Sequence, residues 1–172
     1  MPNRPERINV PLGLSAGSLV TKFSSDKLAF NEDYQRNDVW TTEQKRLLID
    51  SIFKGYDIPK IYFHPRQDGE GNSFNDVVDG QQRIRSIVSF HDNEFALGED
   101  GDDDLKGKKF RDLDDEDEHR FLEYQLSIIQ LRGYEEDDIK DMFLRFQHGT
   151  SLNAAEKRHA IPGEMNGVVK RL

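Results

Sequence analysis

Residues 77–83 read Val-Val-Asp-Gly-Gln-Gln-Arg, and no other stretch of the chain limits the fold so tightly. An apolar run broken by Asp79-Gly80, then followed by amides, an arginine and an amphipathic segment, reads as a strand that turns directly into a helix. Such a junction points several unpaired backbone N–H groups at one spot, which suits an anion. Arg83 adds a planar, permanently charged fork that matches phosphate oxygens. Arg85, in the same turn, strengthens the local positive field, although an Asp-Gly turn with polar residues in the first helical turn also occurs without any ligand.

Charge is distributed in a way that matters for partners. The net charge is −9, but residues 91–141 hold 19 Asp or Glu against 7 Lys or Arg, and the remainder holds 14 against 17. An acidic insert is thus joined to a mildly basic body, and the low pI says little about the functional face. With 172 residues the expectation is a single domain over 18–172, an irregular lead-in over 1–17 and an acidic loop over 98–118; the tail ends without an evident terminal element and reads as a truncation. The eleven Phe suggest an aromatic core. No apolar run approaches the ~20 residues of a membrane span, and the absence of cysteine fits a cytoplasmic protein and leaves no thiolate metal site.

The pattern predicts the following elements. The lead-in carries one short strand at 8–10, Ser18 caps a short helix, and residues 28–30 are extended. Thr41 and Gln44 form a capping box for a helix over 41–54, stopped by Gly55. A hairpin follows, with strands over 60–64 and 74–78. The helix after Gly80 buries Ile84, Ile87 and Val88 and ends at 91–93. A brief strand over 95–97, a helix over 114–123, a strand over 126–131, and helices over 135–146 and 153–160 complete the chain.

Two further constellations stand beside the turn. Tyr34-Gln35-Arg36 precedes Trp40; the tryptophan reads as a core anchor, whereas an arginine between an amide and an aromatic ring suits a phosphate or a base. From Phe143 to Arg158 one helix ends at Gly149 and another is capped near Ser151 or Asn153, again gathering N–H groups and hydroxyls. Glu156 and Arg158 fit a solvent-exposed pair equally well. The acidic run at Asp100, Asp102, Asp103 and Asp104 fails the calcium-loop template, which needs Gly and Glu where Leu105 and Arg111 stand. The five histidines show no zinc spacing, and there is no Walker loop or GxSxG motif.

Taken in this order, the three constellations resemble the DGQQR-motif domain of GmrSD-type modification-dependent restriction enzymes and related phage-defence proteins. The resemblance runs over roughly residues 30–160, through Tyr34-Gln35-Arg36, Trp40, Gln44, residues 48–52, Gly55, Ile58-Pro59, Asp79 to Arg83, Phe143, Arg145, Gly149, Leu152, Glu156 and Arg158. It implies an α+β fold, a small mixed sheet flanked by helices similar to ParB and sulfiredoxin. It also implies a nucleotide-binding, NTP-hydrolysing domain, with Mg2+ as cofactor, that serves DNA restriction with a nuclease domain or subunit absent from these residues. In that reading Asp79, Gln82, Arg83 and Glu156 are catalytic, and Asp79 and Glu156 hold the metal. Tyr34, Gln35, Arg36, Gly80, Gln81, Arg83, Arg85, Gln147 and Arg158 bind the nucleotide. The chain departs from the pattern at Gln147, where the family usually carries Asn; the extra methylene moves the amide by about a bond length, which bears on hydrolysis more than on binding. The alternatives are a non-enzymatic DNA-binding or sensor module and a purely structural domain serving a partner nuclease.

Overall fold

The computed structural model describes residues 6–30, 39–99 and 104–145. The chain divides between Tyr134 and Glu135 into two compact units.

In the first unit the elements run β1 (Ile8–Ser15), α1 (Ala16–Ser24), β2 (Leu28–Ala29), α2 (Thr42–Phe53), β3 (Ile61–Gln67), β4 (Ser73–Asp79), α3 (Gln81–His91), a 3-10 turn (Phe110–Asp112), α4 (Asp115–Glu123) and β5 (Gln125–Arg132). The strands form one sheet in the order β1-β5-β3-β4-β2. It is mixed: β1 runs antiparallel to β5 and β3 to β4, whereas β3 with β5 and β4 with β2 are parallel. The α+β expectation of a small mixed sheet with helices beside it is met.

Local chemistry explains most boundaries. Thr41 accepts from the Gln44 N–H while Gln44 Oε1 accepts from the Thr41 N–H, so the predicted capping box opens α2. Asp114 caps α4 by accepting from the Asp117 N–H. For α1 the cap is Ser15 rather than Ser18, with the Ser18 N–H as donor. Two expectations need correction. The strand expected at 8–10 is longer, running over 8–15: Pro11 and Gly13 sit in β1, an edge strand paired on one side only, where a missing N–H is tolerated. Residues 95–97 form no strand; one bond, from the Leu97 N–H to the Lys108 carbonyl, closes that loop. Within the expected acidic loop over 98–118, Leu105 is buried and 115–118 already belong to α4.

The core lies between the sheet and α1 to α4. Ile61 and Phe63 of β3, Val77 of β4, and Leu126 and Ile128 of β5 meet Leu19, Ile49, Ile52, Ile84, Ile87 and Phe90 from the helices. The rings of Phe53, Phe90, Phe110 and Phe121 stack mutually at centroid distances of 5.3–6.2 Å, as the phenylalanine count suggested. Ile84, Ile87 and Phe90 are wholly buried, and at about 1.5–3 kcal/mol apiece they fix α3 against the sheet. In the second unit the described residues form a helix over 136–145, tied by Lys140–Glu136 and Arg145–Asp141 pairs. No helix among the described residues is long and apolar enough to cross a membrane.

Candidate functional site

The strand-to-helix junction is built as the sequence demands. The β3–β4 pairing slips by one residue between Tyr62 and Phe63, so that Tyr62 faces Asp79 but Phe63 faces Val77. This bulge breaks the alternation that keeps Val77 in the core and brings the Asp79 carboxylate to the strand end, 38% exposed. Gly80 then takes φ +99°, a left-handed conformation, and starts α3 with no capping side chain. A Cβ here would lie 2.8 Å from Ile61 Cγ1, so both the dihedral and the space require glycine.

Arg83 folds back over this turn. One guanidinium nitrogen donates to Asp79 Oδ2 at 2.7 Å and to the Lys60 carbonyl at 2.9 Å. Its side chain is only 14% exposed, and Nε is buried with no hydrogen-bond partner among the described residues. The arginine expected to reach outward is thus engaged inward, holding β4, β3 and α3 together. Gln81 is buried and donates to the Val77 carbonyl at 3.2 Å. Gln82 accepts from the Trp40 N–H at 3.3 Å, which brings the start of α2 beside the start of α3. Trp40 itself packs against the core, as read from sequence.

Arg85 is the outward cation. It is exposed, its guanidinium lies over the Phe30 ring at 4.7 Å, and among the described residues no carboxylate pairs with it. Phe30 meets Phe23 edge-on at 5.7 Å. Beside them opens a cleft of about 430 Å³ lined by Phe23, Lys45, Gln82, Arg85, Asp92 and Glu94 among others. Residues 82, 85, 89 and 92 recur at helical spacing, so one face of α3 forms its floor from the open N-terminus to the last turn. Asp92 and Glu94 escaped the sequence reading, in which Asp92 served only to end the helix and Glu94 had no role. The three- and four-residue spacing from Gln82 would have found Asp92.

Of the expected site residues, the structure brings Asp79, Gly80, Gln81, Gln82, Arg83 and Arg85 to one strand-to-helix turn, and Gln82 and Arg85 among them line the cleft. Tyr34, Gln35, Arg36, Gln147, Glu156 and Arg158 lie outside the described residues. Among the described residues no three His, Asp or Glu side chains come together as a metal site. Asp79 offers one carboxylate, already paired with Arg83, so these residues do not by themselves fit a protein-built Mg2+ site.

No curated protein and no solved structure matches the chain. The family model described as the GmrSD restriction endonuclease N-terminal domain matches residues 18–161, which includes every strand from β2 onward and the whole DGQQR turn. The chain belongs to the family of GmrSD restriction endonuclease N-terminal domains.

Proposed function

We propose that this domain binds a nucleoside triphosphate at the start of α3 and hydrolyses it in the service of a DNA restriction and phage-defence system, with a nuclease domain or subunit as partner. The observation that carries the reading is the start of α3 at Gly80, which no side chain caps among the described residues, with Gln82 and Arg85 of its first turns lining a cleft. A helix start carries about half a positive charge and free N–H groups, and phosphate is the ligand that uses both. Arg85 and Lys45 supply positive charge at the cleft wall, and in this reading the Gln82 amide nitrogen donates to a phosphate oxygen or a water. Asp79 acts through Arg83: it holds the guanidinium across the turn, so the pair shapes the site as a positioning device. Mg2+ would have to come with the nucleotide, since among the described residues Asp79 alone offers a carboxylate at this turn.

The test is a thermal-shift screen of ATP, GTP, CTP and UTP with Mg2+, followed by phosphate release on any that bind. A nucleotide at 100 times its dissociation constant adds about 2.7 kcal/mol of stability. The expected result is a shift with at least one nucleotide, weakened in Arg85→Ala and Gln82→Ala. Absence of any shift, together with salt-dependent retention of DNA, would favour the DNA-binding module instead. Binding without phosphate release would leave a nucleotide sensor in place of an NTPase.

A further inference from the structure

The cleft beside α3 is polarised along its length. Toward the start of α3 stand Gln82 and Arg85, the latter with no carboxylate partner among the described residues, and Lys45 of α2 also lines the cleft. Toward the other end of α3 stand Asp92 and Glu94, at and just beyond the end of the helix, where its dipole is negative. Among the described residues the Asp92 carboxylate pairs only with the adjacent His91 ring, at 3.0 Å, and no cation pairs with Glu94. From Gln82 to Asp92 the helix rises about 15 Å. Val88, between Arg85 and Asp92 on α3, and Phe23 of α1 give the cleft apolar wall. The cleft therefore offers cationic groups, an aromatic face and hydrogen-bond-accepting carboxylates.

We propose that this cleft holds the nucleoside part of the ligand, with the base stacked on Phe23 and Val88 and its N–H edge read by Glu94 and Asp92. This rests on the nucleotide-binding reading above and goes beyond it, because it assigns base selection to residues outside the DGQQR turn. Bases have a π-face that stacks on an aromatic ring irrespective of identity, so the ring contributes affinity and little choice. Choice comes from the carboxylates. A carboxylate can only accept hydrogen bonds, so it favours a base that turns an amino or imino group toward it and opposes one that presents a carbonyl there. Both carboxylate residues are exposed and carry no packing load, so their replacement leaves the fold intact.

The experiment is calorimetric titration of the whole chain with ATP, GTP, CTP, UTP and inorganic tripolyphosphate, each with Mg2+. It compares wild type, Glu94→Ala, Asp92→Asn/Glu94→Gln and Phe23→Leu. In wild type at least one nucleotide binds about tenfold or more tightly than tripolyphosphate, the worth of one hydrogen bond to a charged group. The carboxylate variants lose about that factor for the preferred nucleotide and change the rank of the four, while tripolyphosphate binds as before. Phe23→Leu lowers all four nucleotides together and spares tripolyphosphate. Equal binding of nucleotides and tripolyphosphate by wild type, or an unchanged rank in the double variant, overturns the base-reading role while leaving phosphate binding standing. Failure of both nucleotides and tripolyphosphate to bind wild type overturns the nucleotide reading itself, and this inference with it.

Discussion

Two helices start side by side in this molecule, and they start differently. At α2 the sequence closes the end with its own side chains: Thr41 and Gln44 exchange hydrogen bonds with each other's backbone, and Glu43 adds an acidic group in the first turn. At α3, joined to it through the Trp40 N–H and Gln82 Oε1, the first turn has no acidic residue and no capping side chain, and it starts from a left-handed glycine. The same helix physics leaves orphan N–H groups and partial positive charge at both. One end is satisfied by its own side chains; at the other no side chain among the described residues caps the helix, which starts at Gly80 with Arg83 folded back over the turn and Arg85 in its first turns. On the proposed reading, the contrast teaches that a ligand end of a helix is recognised by what the sequence withholds there as much as by what it supplies.

The comparison is broken most severely at its hinge. Gly80→Ala is expected to cost about 2–4 kcal/mol in urea unfolding, since the new Cβ meets Ile61 at 2.8 Å in a strained dihedral. Gly55→Ala, past the end of α2 at φ +67° with nothing within 4 Å, should cost only about 1 kcal/mol. Asp79→Ala removes the partner of a mostly buried arginine and should cost about 1–2 kcal/mol, moderated by the 38% exposure of the carboxylate. Nucleotide affinity should fall with it, because Arg83 loses its brace. Thr41→Ala sharpens the contrast: it should lose about 1 kcal/mol of stability and leave nucleotide affinity unchanged. Arg85→Ala should do the reverse, with stability within about 0.5 kcal/mol of wild type and affinity down about tenfold.

The smallest effect concerns the far end of the β3–β4 hairpin that carries Asp79. Hydrogen bonds from the Asn72 side chain and backbone hold the Asp68 carboxyl below its ordinary 3.8. Because the folded value is depressed, the contribution is present above the unfolded pKa and is lost as pH falls through the folded one. Amide exchange at 68–72 should therefore rise slightly below about pH 4 in wild type and show no such step in Asp68→Asn.

How much of this was legible in the sequence follows the range of the forces involved. The α2 cap depends on residues three apart, and Thr41 with Gln44 announced it. Gly80 was legible for the same reason, since a strand must turn into a helix within one residue. Strand β1 was legible only over 8–10, because Pro11 and Gly13 act as local breakers, and only pairing with β5, more than a hundred residues away, carries the strand on to Ser15. The direction of Arg83 was also hidden: it is set by the Lys60 carbonyl, 23 residues earlier, which the hairpin brings to the turn. Glu94 was missed because it lies beyond the helix whose face it extends.

The central claim is that phosphate docks on the open start of α3 and not on the closed start of α2. The most direct measurement is an amide NMR titration of the whole chain with the tightest-binding nucleotide and Mg2+. The account predicts the largest shifts at the Gly80 to Arg83 amides, with those of Thr42 to Gln44 nearly unmoved. Equal shifts at the two helix starts, or shifts that spare Gly80 to Arg83 altogether, would contradict it.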